Sequence, residues 1–260
     1  MEIAEHIGAL REQGPLLAEA AGRAGLGAAV PGCPPWLVKD LLRHTGYIHR
    51  WAARHIIECP ASVLEGPSEA EILRGGASDP DLIDWFLAGH GALVETLAAA
   101  DPALECATFM AAPSALAFWA RRQAHETAIH RADAESAAGL MPEYAPGFAA
   151  DGIDELIMGF GSRRKYRPPT RSGVGDGGGL RVRTTDTGEA WHVSASAGGI
   201  QAQRGPQDPP GPADGLVSGP ASAVYLFLWN RSGPAPAGVT ISGDQSFLTS
   251  WQSSVRVRWG

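Results

Sequence analysis

Lysine is nearly missing from this 260-residue chain: two residues, against 19 arginines. The net charge is −7, so the concentrated basic face of a nucleic-acid binder is not expected. Cysteine is also scarce. Cys33, Cys59 and Cys106 are too few and too scattered for a disulfide framework or a cysteine-rich metal knuckle, and their odd number fits a reducing compartment. No apolar run approaches the ~18 residues that a membrane span needs. The first residues, MEIAEHIGALREQ, are acidic and lack the basic flank and apolar stretch of a secretory signal, so a cytoplasmic location is expected. What is plentiful is apolar material: 44% hydrophobic against 19% charged residues, enough for a sizeable core. One basic cluster, Arg163, Arg164, Lys165, Arg167 and Arg171, lies beside prolines and a glycine run and reads as a solvated loop.

The texture changes near residue 140. Residues 1–140 carry 10 Lys/Arg and 18 Asp/Glu, and seven of the eight histidines; residues 141–260 carry 11 and 10, and 20 of the 33 glycines. The first part has helical periodicity. Residues 2–22 place Ile3, Ile7, Leu10 and Leu17 at steps of four, three and seven, with Leu16 alongside. Pro34-Pro35 signals a helix over 36–58. Asp79-Pro80 opens another to about residue 99, with Leu82, Phe86, Leu93 and Leu97 on one side. Pro113-Ser114 opens a fourth, ending at Gly139. Four long helices predict a four-helix bundle over 1–145. In the remainder, a short helix is expected over 151–160 and another over 221–229. Residues 180–184, 190–193 and 254–259 alternate like strands, and 244–251 has room for a helical turn. Residues 203–214 read as loop. A small α+β domain over 146–260 follows, and an α+β class for the whole.

The stretch FWARRQAHETAIHRADAESAAG, 118–139, concentrates the chemistry. Glu126 and His130 stand four apart, one turn from each other on one helix face. His125 lies about 140° around the helix from His130 and cannot easily share its site. Ile129 occupies the position where the zinc-protease pattern HExxH needs histidine, so that class is disfavoured. On the second helix, Leu37, Leu41, His44, Ile48 and Trp51 form one stripe, so His44 is a polar group on an apolar face. A buried imidazole requires a hydrogen-bond partner or a metal. If the second and fourth helices pack face to face, His44, Glu126 and His130 converge. That donor set suits Zn²⁺ with an open position, and also non-haem Fe or Ni. The plainer reading is a satisfied core histidine and a surface Glu–His pair. Asp133 reads as a helix salt-bridge residue, with orientation of His130 as the alternative. The cysteines lack sequence-local partners and read as small buried or loop residues.

The runs HTGYIHRWAARH around His44 and RRQAHETAIHRADAESAAG resemble those of mycothiol-dependent maleylpyruvate isomerase-like proteins. The segments VSGPASAVYLFLWNR (217–231) and GDQSFLTSWQSSVRV (243–257) resemble that family's C-terminal helix-plus-arginine segment and closing strand. The resemblance implies a DinB-like N-terminal bundle, a metal held by His44, Glu126 and His130, and mycothiol as working thiol. It implies a substrate-binding role for Arg231, which follows the Leu228-Trp229 pair. Without the family, Arg231 equally reads as a cation at a helix C-terminus. Arg122 is expected at the mouth of the site, against the cofactor. A metal-bound thiol exists as thiolate, the form that attacks an electrophilic carbon. Isomerase and S-transferase chemistry share that first step, and both remain open. The expected partners are a small-molecule electrophile and a low-molecular-weight thiol, on a monomer or weak homodimer. The alternative is a non-catalytic small-ligand or protein-interaction module on the same scaffold.

Overall fold

The computed structural model describes residues 1–161, 179–196, 199–205, 215–232, 236–245, 248–249 and 252. It divides into two compact units, Met1–Pro142 and one beginning at Glu143. The whole is α+β.

The first unit contains α1 (Ile3–Ala24), α2 (Val38–Glu58), α3 (Glu69–Arg74), α4 (Leu82–Ala99) and α5 (Ala115–Ala137), with one 3₁₀ turn, Asp79–Asp81, leading into α4. Helix α1 packs against α4 and α5, and α2 against the same two. The local causes are visible at the helix ends. Asp40 accepts from the Leu37 N–H at 2.9 Å and so fixes the first turn of α2. The Ser114 hydroxyl accepts from the Ala117 N–H at 3.1 Å and starts α5. Gly139, at φ +72°, takes the left-handed conformation just past the end of α5. The predicted apolar stripes face inward. Leu41, Ile48 and Trp51 of α2 and Leu82, Phe86, Leu93 and Leu97 of α4 are all buried. Leu17, Ala21, Val38, Leu41, Leu42, Phe86 and Ala134 close a single apolar cluster between the four long helices.

The second unit contains α6 (Pro146–Asp154), which runs on into a π-helical segment, Glu155–Phe160, and α7 (Ala221–Leu228). Its sheet has five strands: β1 (Gly179–Thr184), β2 (Ala190–Ser196), β3 (Gly199–Gly205), β4 (Gly215–Gly219) and β5 (Thr240–Gly243), in the order β3-β2-β1-β4-β5. All neighbours are antiparallel except β1 and β4, which run parallel with Val182 opposite Val217. Helix α7 packs on β4 and on α6. Two indoles tie the unit together: Trp191 Nε1 donates to Asp154 at 2.9 Å, and Trp229 Nε1 to the Gly152 carbonyl at 3.2 Å.

Some expectations change. The helix expected over 151–160 begins five residues earlier, at Pro146, a residue suited to the first helical turn. Gln203, Arg204 and Gly205, expected in a loop, belong to β3, where Gln203 pairs with His192. In 244–251, Asp244 and Gln245 are not helical while Leu248 and Thr249 are. The strand expected over 254–259 and the basic cluster at 163–171 lie outside the described residues.

Candidate metal centre

Helices α2 and α5 bring the three expected donors together. His44 Nε2 lies 3.3 Å from Glu126 Oε1, and His130 Nε2 lies 3.3 Å from the same oxygen. One ligand atom from each residue falls within 4.8 Å of the other two. His44 is 4% exposed and His130 7%. Four-residue spacing on α5 stacks Glu126 and His130, and the α2 stripe delivers His44 from the facing helix.

These distances discriminate between two kinds of site. Charge-assisted N–H···O⁻ bonds settle near 2.7–2.9 Å. Zinc bonds of ~2.0–2.1 Å in a tetrahedron set neighbouring ligand atoms about 3.3 Å apart. Both His–Glu separations match the tetrahedral edge, and two imidazoles with one carboxylate are an ordinary catalytic-type donor set. The residues therefore fit a small divalent ion with one position open.

The electrostatics point the same way. Burial would raise the Glu126 carboxyl, but the His130 and His44 rings facing it and the Arg122 charge outweigh it and hold Glu126 well below the usual carboxylate range. Burial lowers His44, with Glu126 opposing. For His130 burial is outweighed by Asp133 and Glu126, and its basicity rises. Arg122 Nη2 donates to Glu126 Oε2 at 2.9 Å. Arg122 is 3% exposed, so this guanidinium lies at the site, buried on the carboxylate.

Two neighbours, Trp36 and Cys33, were not expected at the site, and a third, Asp133, takes the role that the sequence ranked second. Trp36 sets its ring 4.8 Å from that of His44 and 6.2 Å from that of His130, and its Nε1 donates to Glu69 Oε1 at 2.8 Å. Asp133 Oδ2 stands 2.9 Å from His130 Nδ1. The Cys33 thiol donates to that same Oδ2 at 3.4 Å. The HxxD spacing of His130 and Asp133 was a usable sequence signal. Cys33 and Trp36 gave none, because they reach the site through the turn before α2. Cys33, Cys59, which is exposed, and Cys106 are thiols rather than disulfide sulfurs.

Residues 7–135 match the family model of the mycothiol maleylpyruvate isomerase N-terminal domain, and residues 147–248 match that of the MDMPI C-terminal domain. The chain belongs to the mycothiol-dependent maleylpyruvate isomerase family. Among solved structures, this family member is similar to the crystal structure of the mycothiol-dependent maleylpyruvate isomerase, with TM-score 0.61 and 16% identity, over 94% of this chain and 95% of that one. It is similar to a histidine-to-alanine mutant of the same enzyme, with TM-score 0.63 at the same identity and coverage. No curated protein sequence matches it. In this member of the maleylpyruvate isomerase family, Arg231 follows α7 in the second unit. Its backbone N–H donates to the Leu226 carbonyl at 2.8 Å and its Nη1 to that of Trp229 at 2.9 Å, satisfying carbonyls at the helix end.

Proposed function

We propose that the protein is a metal-dependent isomerase that uses mycothiol to act on an electrophilic small molecule, with thiol S-transfer as the neighbouring chemistry. The observation that carries this reading is the shared 3.3 Å separation of His44 Nε2 and His130 Nε2 from one oxygen of Glu126. Family membership supplies the thiol and the reaction class. The four long helices of the first unit serve, on this reading, as a DinB-like bundle whose α2 and α5 carry the centre.

The roles divide as follows. His44, Glu126 and His130 hold a divalent cation, zinc first among those the donors suit. A cation bound there would supply the Lewis acidity that favours the thiolate form of a thiol at neutral pH. Arg122 keeps Glu126 ionised and leaves its Oε1 to the centre, a role that the 2.9 Å contact with Oε2 supports ahead of direct contact with the thiol. Trp36 walls one side of the histidine pair and restricts water. Arg231 is the cation proposed for a carboxylate of the substrate or thiol, for which its planar fork is suited. We take the working location to be a reducing cytoplasm, where a low-molecular-weight thiol stays reduced. We take the working form to be a monomer or weak homodimer.

Metal analysis of the purified full chain tests the centre. One divalent ion per chain is expected, lost in both His44→Ala and His130→Ala; retention in both variants would remove the site. Turnover of maleylpyruvate with added mycothiol tests the reaction. A stable thiol adduct on another electrophile, without isomerisation of maleylpyruvate, would assign the protein to S-transfer.

A further inference from the structure

His130 has a second face. Its Nε2 is directed to Glu126 Oε1 at 3.3 Å, while its Nδ1 lies 2.9 Å from Asp133 Oδ2. Two carboxylates thus compete for the proton of a neutral His130 ring, and Asp133 is the closer. Asp133 is 1% exposed, so its carboxyl oxygens find their partners among protein groups rather than in bulk water. Its Oδ2 accepts from both His130 and the Cys33 thiol. An ionised carboxylate can only accept. The His130 proton therefore sits on Nδ1, and the Nε2 lone pair is left pointing at the position between His44 and Glu126. His44 has no matching arrangement: its buried Nδ1 has no hydrogen-bond partner. The two imidazoles are unequal, and only one is set in advance.

We infer that Asp133 is a positioning residue of the centre: it fixes His130 as the Nδ1–H tautomer with Nε2 free to ligate, and Cys33 steadies the carboxylate that does so. This rests on the metal-centre reading proposed above. Buried carboxylates behind ligating histidines fix the ring and raise its basicity, and their loss typically costs about 10–100-fold in metal affinity. Cys33 comes from the turn that also carries Trp36, so the segment before α2 is joined to α5 at the ligand itself.

The experiment uses the full chain with zinc alone as probe. Zinc affinity is measured by chelator competition on wild type, Asp133→Ala, Asp133→Asn and Cys33→Ala. The His130 tautomer is read by nitrogen-15 NMR of metal-free protein at alkaline pH, where the ring carries one proton. The expectation is an Nδ1–H ring in wild type and a shift towards Nε2–H in Asp133→Ala, with zinc affinity about 10–100-fold lower. Asp133→Asn keeps an oxygen that accepts from Nδ1, so it retains the tautomer and loses less affinity. It also serves where the alanine variant fails to fold. Cys33→Ala loses a smaller factor than Asp133→Ala. An unchanged tautomer and unchanged zinc affinity in Asp133→Ala would overturn the inference while leaving the centre intact. A wild type that binds no zinc but shows the tautomer shift would refute the metal reading and keep the positioning of His130.

Discussion

Arg122 donates from Nη2 to Oε2 of Glu126, one turn along α5, at 2.9 Å, and this leaves Oε1 as the oxygen that both histidines face. The pair is mostly enclosed, with side-chain exposures of 4% and 16%. Removing one partner of a buried ion pair leaves the other charge uncompensated, at about 3–5 kcal/mol. Arg122→Ala is therefore expected to lower the stability of metal-free protein by about 3 kcal/mol, the lower end of that range because Glu126 keeps some solvent. A zinc ion at Oε1 would again set a cation against Glu126. The deficit in urea unfolding should then shrink when zinc is added. An equal deficit with and without zinc would show that Arg122 does not serve the charge of Glu126.

The buried histidines predict an acid-sensitive fold. Thr127 gives its hydroxyl proton to the Gln123 carbonyl at 2.7 Å, so His49 Nε2, 2.9 Å from the Thr127 hydroxyl oxygen, must be the donor there. His49 Nδ1 is buried without a partner. His55 accepts the Leu64 N–H at Nε2 and donates from Nδ1 to the Trp51 carbonyl, so a second proton has no acceptor to meet. Burial lowers the basicity of His49, His55 and His90 below the ordinary imidazole value of 6.5. Between those lowered values and 6.5 the unfolded chain binds more protons, so stability rises with pH across that window and is lost as pH falls below 6.5. His130 runs the other way: its raised basicity contributes stability that is present below 6.5 and lost as pH rises through its folded value. His44, which burial also lowers, joins these three, so four opposing histidines outnumber it. Urea midpoints for metal-free protein should drop between about pH 7 and about pH 5; a flat or rising profile would count against neutral burial of these rings.

The sequence revealed α2 and α4 because each buries a stripe that repeats at helical spacing, and the proline, serine or aspartate signals at Pro34-Pro35, Asp79-Pro80 and Pro113-Ser114 marked the starts of α2, α4 and α5. It did not reveal β3, β4 and β5. GIQAQRG, GLVSG and TISG are short and bounded by glycine, and such segments become strands only through their partners. The six residues of α3 are too few for periodicity to register. At the site, Glu126 and His130 were legible from their four-residue step, and His44 from being polar on an apolar stripe. Asp133 was misweighted for a physical reason. Helix α5 is buried almost all round: residues 122–125 and 127–130 are all enclosed. No amphipathic contrast marked which of its polar residues face solvent. Cys33 touches Asp133 across 100 residues of chain, a contact that no local pattern encodes.

Trp36 gives a kinetic prediction. Its indole covers the His44 ring at 4.8 Å and is anchored by Glu69 at 2.8 Å. The apolar shell around a metal site controls solvent access. Trp36→Ala should leave zinc binding in place yet quicken its extraction by a chelator several-fold, whereas Trp36→Phe should stay near wild type. Glu69→Ala, which frees the ring without removing it, should fall between them. Equal extraction rates in all four proteins would show that the indole does not shield the centre.

Glycines on α1 and α2 separate close packing from helix propensity. A Cβ at Gly46, two residues after His44, would fall inside the Trp85 ring, and one at Gly89 would fall on the Arg50 guanidinium. Arg50 bridges α2 and α4: it donates to the Gly46 carbonyl at 2.9 Å and the Trp85 carbonyl at 2.7 Å, and its Cζ lies 3.9 Å from the Trp85 ring centre. A Cβ at Gly8 on the exposed side of α1 would meet nothing within 4 Å. Alanine gains about 1 kcal/mol over glycine in a helix interior, whereas overpacking costs about 1–3 kcal/mol. Gly8→Ala should therefore stabilise by up to about 1 kcal/mol. Gly46→Ala should destabilise by about 1–2 kcal/mol once the propensity gain is set against the clash. It should also weaken zinc binding, because the displaced turn of α2 carries His44. Matching gains at the two positions, by urea unfolding, would mean that α2 and α4 have room to spare, and that the position of His44 is not set by their close approach.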